Sequence, residues 1–113
     1  MHSCGFIEPL LADMVDAGID HICQQVMEVK AGMDPVLIKQ NFGDRLSLFG
    51  GIDARNLVAN DRAAIQAKLQ AKIPPLMAGF GYILHSDHSI PTTTDYETYR
   101  YFVDEGLRLG TYA

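Results

Sequence analysis

Several short clusters in this sequence carry side chains able to bind a metal, a proton or a polar ligand. His2 and Cys4 lie two residues apart. In extended backbone such positions face the same side. An imidazole nitrogen and a thiolate sulfur then point at one place, as a chelating pair for zinc requires. A third ligand is expected from His88 or His85, with one position left open for water or substrate. The alternative is a chain end that binds nothing. The run His85-Ser86-Asp87-His88 packs potential ligands and proton carriers into four positions. Asp87 can orient an imidazole by accepting its N–H, unless the loop simply faces water. His88 and Asp87 are therefore the candidate catalytic pair. Gln25, Gly51, Asp53 and His85 are the candidates for lining a substrate pocket. Gly50 and Gly51 suit either close approach of a ligand to the backbone or a plain turn. Asp53 has a competing reading as the cap of a short helix beginning at Ala54.

The elements that must position these groups follow from the punctuation. Apolar residues Leu10, Leu11, Met14 and Val15 recur at helical spacing and predict a helix over 7–17, with Pro9 in its first turn and Gly18 at its end. A strand is expected over 21–27. Asp34 followed by Pro35 is a cap and first-turn pair for a helix over 35–42. An apolar strand, covered on both faces, is expected over 46–50. Asp61 caps a helix over 62–73 that Pro74-Pro75 stops. A third strand covers 82–84. Thr94 with Glu97 reads as a capping box for a helix over 95–109. Tyr99 and Phe102 on that helix are expected to pack on the sheet. Strict alternation of helix and strand predicts an α/β fold with three parallel strands and four helices. Ligand residues in such folds gather beyond the carboxyl ends of the strands. All the clusters fall at those positions.

Composition narrows the classes. The chain has 113 residues, a net charge of −5 and 48% hydrophobic residues, enough for one domain with one modest core. No Lys/Arg block or basic stripe is present, so neither nucleic acid nor an anionic membrane is an expected partner. No apolar run approaches the ~20 residues that span a bilayer. No signal peptide is visible, and a cytoplasmic location is expected. Cys4 and Cys23 read as reduced thiols, with Cys23 a small core residue.

Longer segments carry a family resemblance. HSCG followed by AGID, the stretch VMEVKAGMDPVLIKQNFGDRLSLFGGID, and GYILHSDHSIP followed by YRYFV resemble the uroporphyrinogen decarboxylase and corrinoid-dependent methyltransferase superfamily. The resemblance implies a partial (β/α)8 TIM barrel in which residues 1–113 supply barrel strands six to eight. On the methyltransferase branch it implies zinc held by His2, Cys4 and His88, and methyl transfer from a corrinoid protein to a thiol acceptor. The cysteine that this branch carries later in the chain is replaced here by His88. On the decarboxylase branch it implies no metal and places His88 near a porphyrinogen. A third reading is an inactive domain that works by association. A homodimer or a separate N-terminal half-barrel would satisfy its open sheet edges. Weak or no turnover is expected from this chain alone.

Overall fold

The computed structural model describes residues 1–22 and 27–112. A mixed α/β arrangement results, with strands β1 (His21–Ile22), β2 (Ser47–Phe49) and β3 (Tyr82–Ile83) forming a parallel sheet in the order β1-β2-β3. Among the described residues five α-helices accompany it: α1 (Leu11–Asp16), α2 (Pro35–Phe42), α3 (Arg55–Val58), α4 (Arg62–Met77) and α5 (Tyr96–Leu109). The helix beyond the expected four is the single turn α3. The first predicted helix is a 3-10 turn at Glu8–Leu10 running into the short α1. The strand expected over 21–27 has its first two residues in β1, and positions 23–26 lie outside the described residues.

Local chemistry explains most boundaries. Asp34 caps α2 by accepting the amide N–H groups of Val36 and Leu37, which a helix start leaves without intrahelical partners. Asp61 does the same for α4 through Ala64 N–H. Two expectations are corrected. Pro74 and Pro75 do not stop α4, which runs on to Met77. The carbonyls that lose their bonds belong to Gln70 and Ala71, which are exposed and so accessible to water. The continued turn places Leu76 in the core at 0% exposure. The cap of α5 is Asp95, which accepts Thr98 N–H, and not Thr94. Asn60 fixes this register from a distant turn. Its Nδ2 donates to Thr93 O and its Oδ1 accepts Asp95 N–H.

Two apolar clusters hold the sheet to its helices. Leu48 of β2 packs with Leu11, Met27, Ile38, Leu46 and Leu76. Ile65, Leu69 and Ile73 of α4 pack with Ile52, Leu57 and Phe102. Tyr99, expected beside Phe102, is 43% exposed instead. The strand β2 is fully covered on one face and only partly on the other, short of the expected cover on both. Leu48 is buried, whereas its neighbours Ser47 and Phe49 on the other face are half-buried. Ile83, the register partner of Phe49, is 59% exposed.

Lys39 of α2 is buried, and its ammonium donates to the Phe80 carbonyl. Burial pushes its pKa below the ordinary lysine value. The folded chain then holds this proton less firmly than the unfolded chain. Stability therefore rises with pH between the lowered value and the ordinary lysine range near ~10.4. Lys39→Met removes the ammonium and keeps the stem. Urea unfolding of the two proteins at about pH 8 and about pH 10 is expected to show a larger rise in the unsubstituted chain, with Lys72 of α4, whose pKa burial also lowers, contributing equally to both.

Candidate functional site

The loop after β2 turns on two glycines in the left-handed region, Gly50 at φ 101° and Gly51 at φ 82°. Gly51 also packs against the start of α2, where an added β-carbon would sit 2.6 Å from Pro35 Cβ. Its glycine identity is thus set by the turn and by Pro35. Strand pairing resumes past the turn as an isolated parallel bridge between Ile52 and Ser86. Lys72 of α4 reaches in and donates to Gly51 O at 3.0 Å. Burial lowers the Lys72 pKa, against the pull of Asp53, Asp34 and Asp87.

Asp87 ties the rim together. It is 3% exposed. Its Oδ2 accepts Val29 N–H at 2.9 Å, and its Oδ1 accepts Ala54 N–H at 2.8 Å. Its own N–H donates to Ile52 O at 2.6 Å. One carboxylate thereby joins the loops that follow all three strands. The sequence suggested that Asp87 orients an imidazole. Both of its oxygens are bonded to backbone amides instead.

Asp53 is buried beside Arg55. Its Oδ1 accepts the Arg55 N–H at 2.9 Å, and its Oδ2 meets Arg55 NH2 at 2.6 Å. The short helix α3 has Ala54 in its cap position with no side-chain cap, so Asp53 bonds the first helical N–H from one residue before the cap, not from the cap position the sequence suggested. The Arg55 guanidinium holds the Asp53 carboxyl below the usual carboxylate range, outweighing the opposing effect of burial. The Arg55 side chain remains 60% exposed.

The N-terminal HSCG segment meets the same rim through Gly5, whose N–H donates to Glu28 Oε2 at 2.8 Å. Glu28 precedes Val29, which Asp87 holds. His85 and His88 are turned differently. His85 Nδ1 donates to Ser86 O at 2.8 Å, and its ring stands edge-on to Phe49 with centroids 5.1 Å apart. His88 is exposed, and its Nδ1 accepts Ser89 N–H at 3.0 Å.

Zinc can be tested against this chemistry. With Nδ1 accepting a hydrogen bond, a neutral His88 carries its proton on Nε2, so neither nitrogen offers a free lone pair. Among the described residues no three or more His, Cys, Asp or Glu side chains are gathered to hold a metal. Among the described residues, His2, Cys4 and His88 are thus not gathered as a zinc site. Cys4 is exposed, and Cys23 lies outside the described residues.

A polar pocket of about 280 Å³ opens at this rim, lined by Glu28, Lys30, Asp53, Arg55, Asp87 and His88, among others. Of the sequence candidates, Asp53, Asp87 and His88 come together there. His85 lines a different, mostly apolar cavity of about 450 Å³ between α4, β3 and α5. Gly51 lies behind the rim, and Gln25 is outside the described residues. Sequence reasoning missed Lys30, Arg55, Lys72 and Ser86. Arg55 had a signal, two positions after Asp53. Lys72 had none, because its partner belongs to a loop 21 residues away.

A polar pocket beyond the carboxyl ends of parallel strands is the site expected of an α/β enzyme. The family follows from comparison with known proteins. The uroporphyrinogen decarboxylase (URO-D) model matches residues 1–107, and the chain belongs to that family. No curated protein matches it. Among the described residues no helix is long and apolar enough to cross a membrane.

Proposed function

We propose that the rim pocket binds a polycarboxylate substrate of the uroporphyrinogen type in a metal-free decarboxylation. On this reading β1, β2 and β3 are strands six to eight of a (β/α)8 barrel. The observation that carries it is the division of labour in the pocket. Asp53 is taken up by Arg55, Asp87 by two backbone amides and Glu28 by Gly5 N–H. Among the described residues Lys30 takes part in no ion pair, and Arg55 uses only Nε and NH2 of its side chain on Asp53. Five of the six carboxylate oxygens are engaged while donors remain, which favours a carboxylate ligand. Decarboxylation breaks the bond to the departing carboxylate and leaves an electron pair on carbon that must take up a proton. Lys30 and Arg55 would hold the carboxylates that remain, while the exposed His88 faces the same cleft. The half-open sheet face supports the barrel assignment, since parallel sheets are normally covered on both sides.

Titration with uroporphyrin, the oxidised analogue with the same carboxylates, tests this reading. Salt-dependent binding is expected, about fivefold weaker in Lys30→Met, as befits one exposed charge. Absence of binding at low salt would sink the reading.

A second reading is methyl transfer between a corrinoid protein and a thiol, with zinc at His2, Cys4 and His88. The bond from Gly5 to Glu28 favours it by holding HSCG at this rim. It requires His88 to release Ser89 N–H. About one zinc per chain after purification would support it.

A further inference from the structure

We infer that the HSDH loop locks its two imidazoles in opposite neutral tautomers. His88 Nε2–H then becomes the hydrogen-bond donor of the rim pocket, and His85 Nε2 an acceptor beside the apolar cavity.

The argument needs only the partners of each Nδ1. A carbonyl oxygen has no proton to give, so the 2.8 Å contact of His85 Nδ1 with Ser86 O requires the proton on Nδ1. Ser86 Oγ donates to His88 O, so it faces His85 Nδ1, at 3.3 Å, with a lone pair. Both contacts select the same His85 tautomer. A backbone amide has no lone pair to offer, so Ser89 N–H at 3.0 Å requires an unprotonated Nδ1 on His88. The remaining His88 proton lies on Nε2, across an exposed ring that lines the rim pocket. Ser86, 1% exposed, contacts the His85 ring and the His88 carbonyl. The loop thus separates a proton-donating from a proton-accepting histidine without any charged partner. A carboxylate in the rim pocket is the ligand class that His88 Nε2–H would bind, a step that rests on the polycarboxylate reading above.

Long-range proton–nitrogen correlation spectra of the full chain, at about pH 8 and so above the ordinary histidine range, read the tautomers directly. Expected are a protonated Nδ1 on His85 and a protonated Nε2 on His88. A protonated Nδ1 on His88, or averaged signals from both rings, would overturn the lock. For the donor role, His88→Gln keeps an N–H group near the Nε2 position and His88→Leu removes it. Uroporphyrin affinity is expected to stay within about threefold in the first and to fall about tenfold in the second. Equal losses in both would overturn the donor assignment. If the unaltered chain shows the expected tautomers and binds no uroporphyrin, the lock stands and the polycarboxylate reading fails.

Discussion

Asp87→Ala is expected to lower the unfolding free energy of the chain by about 3–5 kcal/mol, measured by urea denaturation. The Asp87 carboxylate accepts two backbone amides at 2.9 and 2.8 Å, and hydrogen bonds to a charged group are worth about 1.5–3 kcal/mol each. Alanine leaves both amides facing a buried space with no acceptor. Small domains have only about 5–15 kcal/mol in total, so the variant should sit near the edge of unfolding. Asp87→Asn keeps the shape and one acceptor oxygen, but turns an N–H group toward the second amide. It should lose about half as much. The site should suffer as well, for a structural reason. Val29 N–H and Ala54 N–H belong to the residues next to Lys30 and Arg55. Releasing them frees the cations of the pocket to wander, and uroporphyrin affinity should drop even where the chain stays folded. A loss of under about 1 kcal/mol would mean that the three loops hold their places without the clasp.

How much of this was legible follows from the reach of each interaction. The start of α2 was readable because Asp34 and Pro35 act within one turn. The gathering of Asp53, Asp87 and His88 at one rim was readable because alternating helices and parallel strands bring every strand's carboxyl end to the same side. The end of α4 was not readable from Pro74-Pro75. What decides it is the burial of Leu76 and the exposure of Gln70 and Ala71, both products of packing. The cap of α5 was misplaced by one residue because Asn60, 35 positions before Asp95, selects between two adequate caps. Asp87 was misassigned for the same reason. Its partners lie 58 and 33 residues away, on loops whose approach no local pattern encodes. The sequence showed the acidic groups of the rim, Asp53 and Asp87, and missed its cations Lys30 and Arg55. It did not show which of them the protein would use on itself, and that division is what distinguishes a donor-rich pocket from a metal site.

Gly51→Ala should cost about 3 kcal/mol, with a control that separates its two causes. The first cause is conformational. At φ 82° a side chain pays roughly 1–2 kcal/mol for the left-handed region. Gly18→Ala measures that term alone, because φ is 97° there and an added β-carbon meets nothing within 4 Å. The second cause is contact. At Gly51 the added carbon falls 2.6 Å from Pro35 Cβ and 3.3 Å from Met27 Cε. The methionine end can swing away, but the proline ring is the first residue of α2 and can move only with the helix. Overpacking of this kind costs about 1–3 kcal/mol. The difference between the two variants, about 2 kcal/mol, is the resistance of α2 to displacement. If α2 holds, the GGID turn must shift instead. That shift pulls Gly51 O from Lys72 Nζ and disturbs the Asp53–Arg55 pair at the pocket edge. Gly51→Ala should therefore weaken uroporphyrin binding, whereas Gly18→Ala, on the connection between α1 and β1, should leave it unchanged. Equal stability losses in the two variants would show that Pro35 yields, and that the rim is softer than its hydrogen bonds imply.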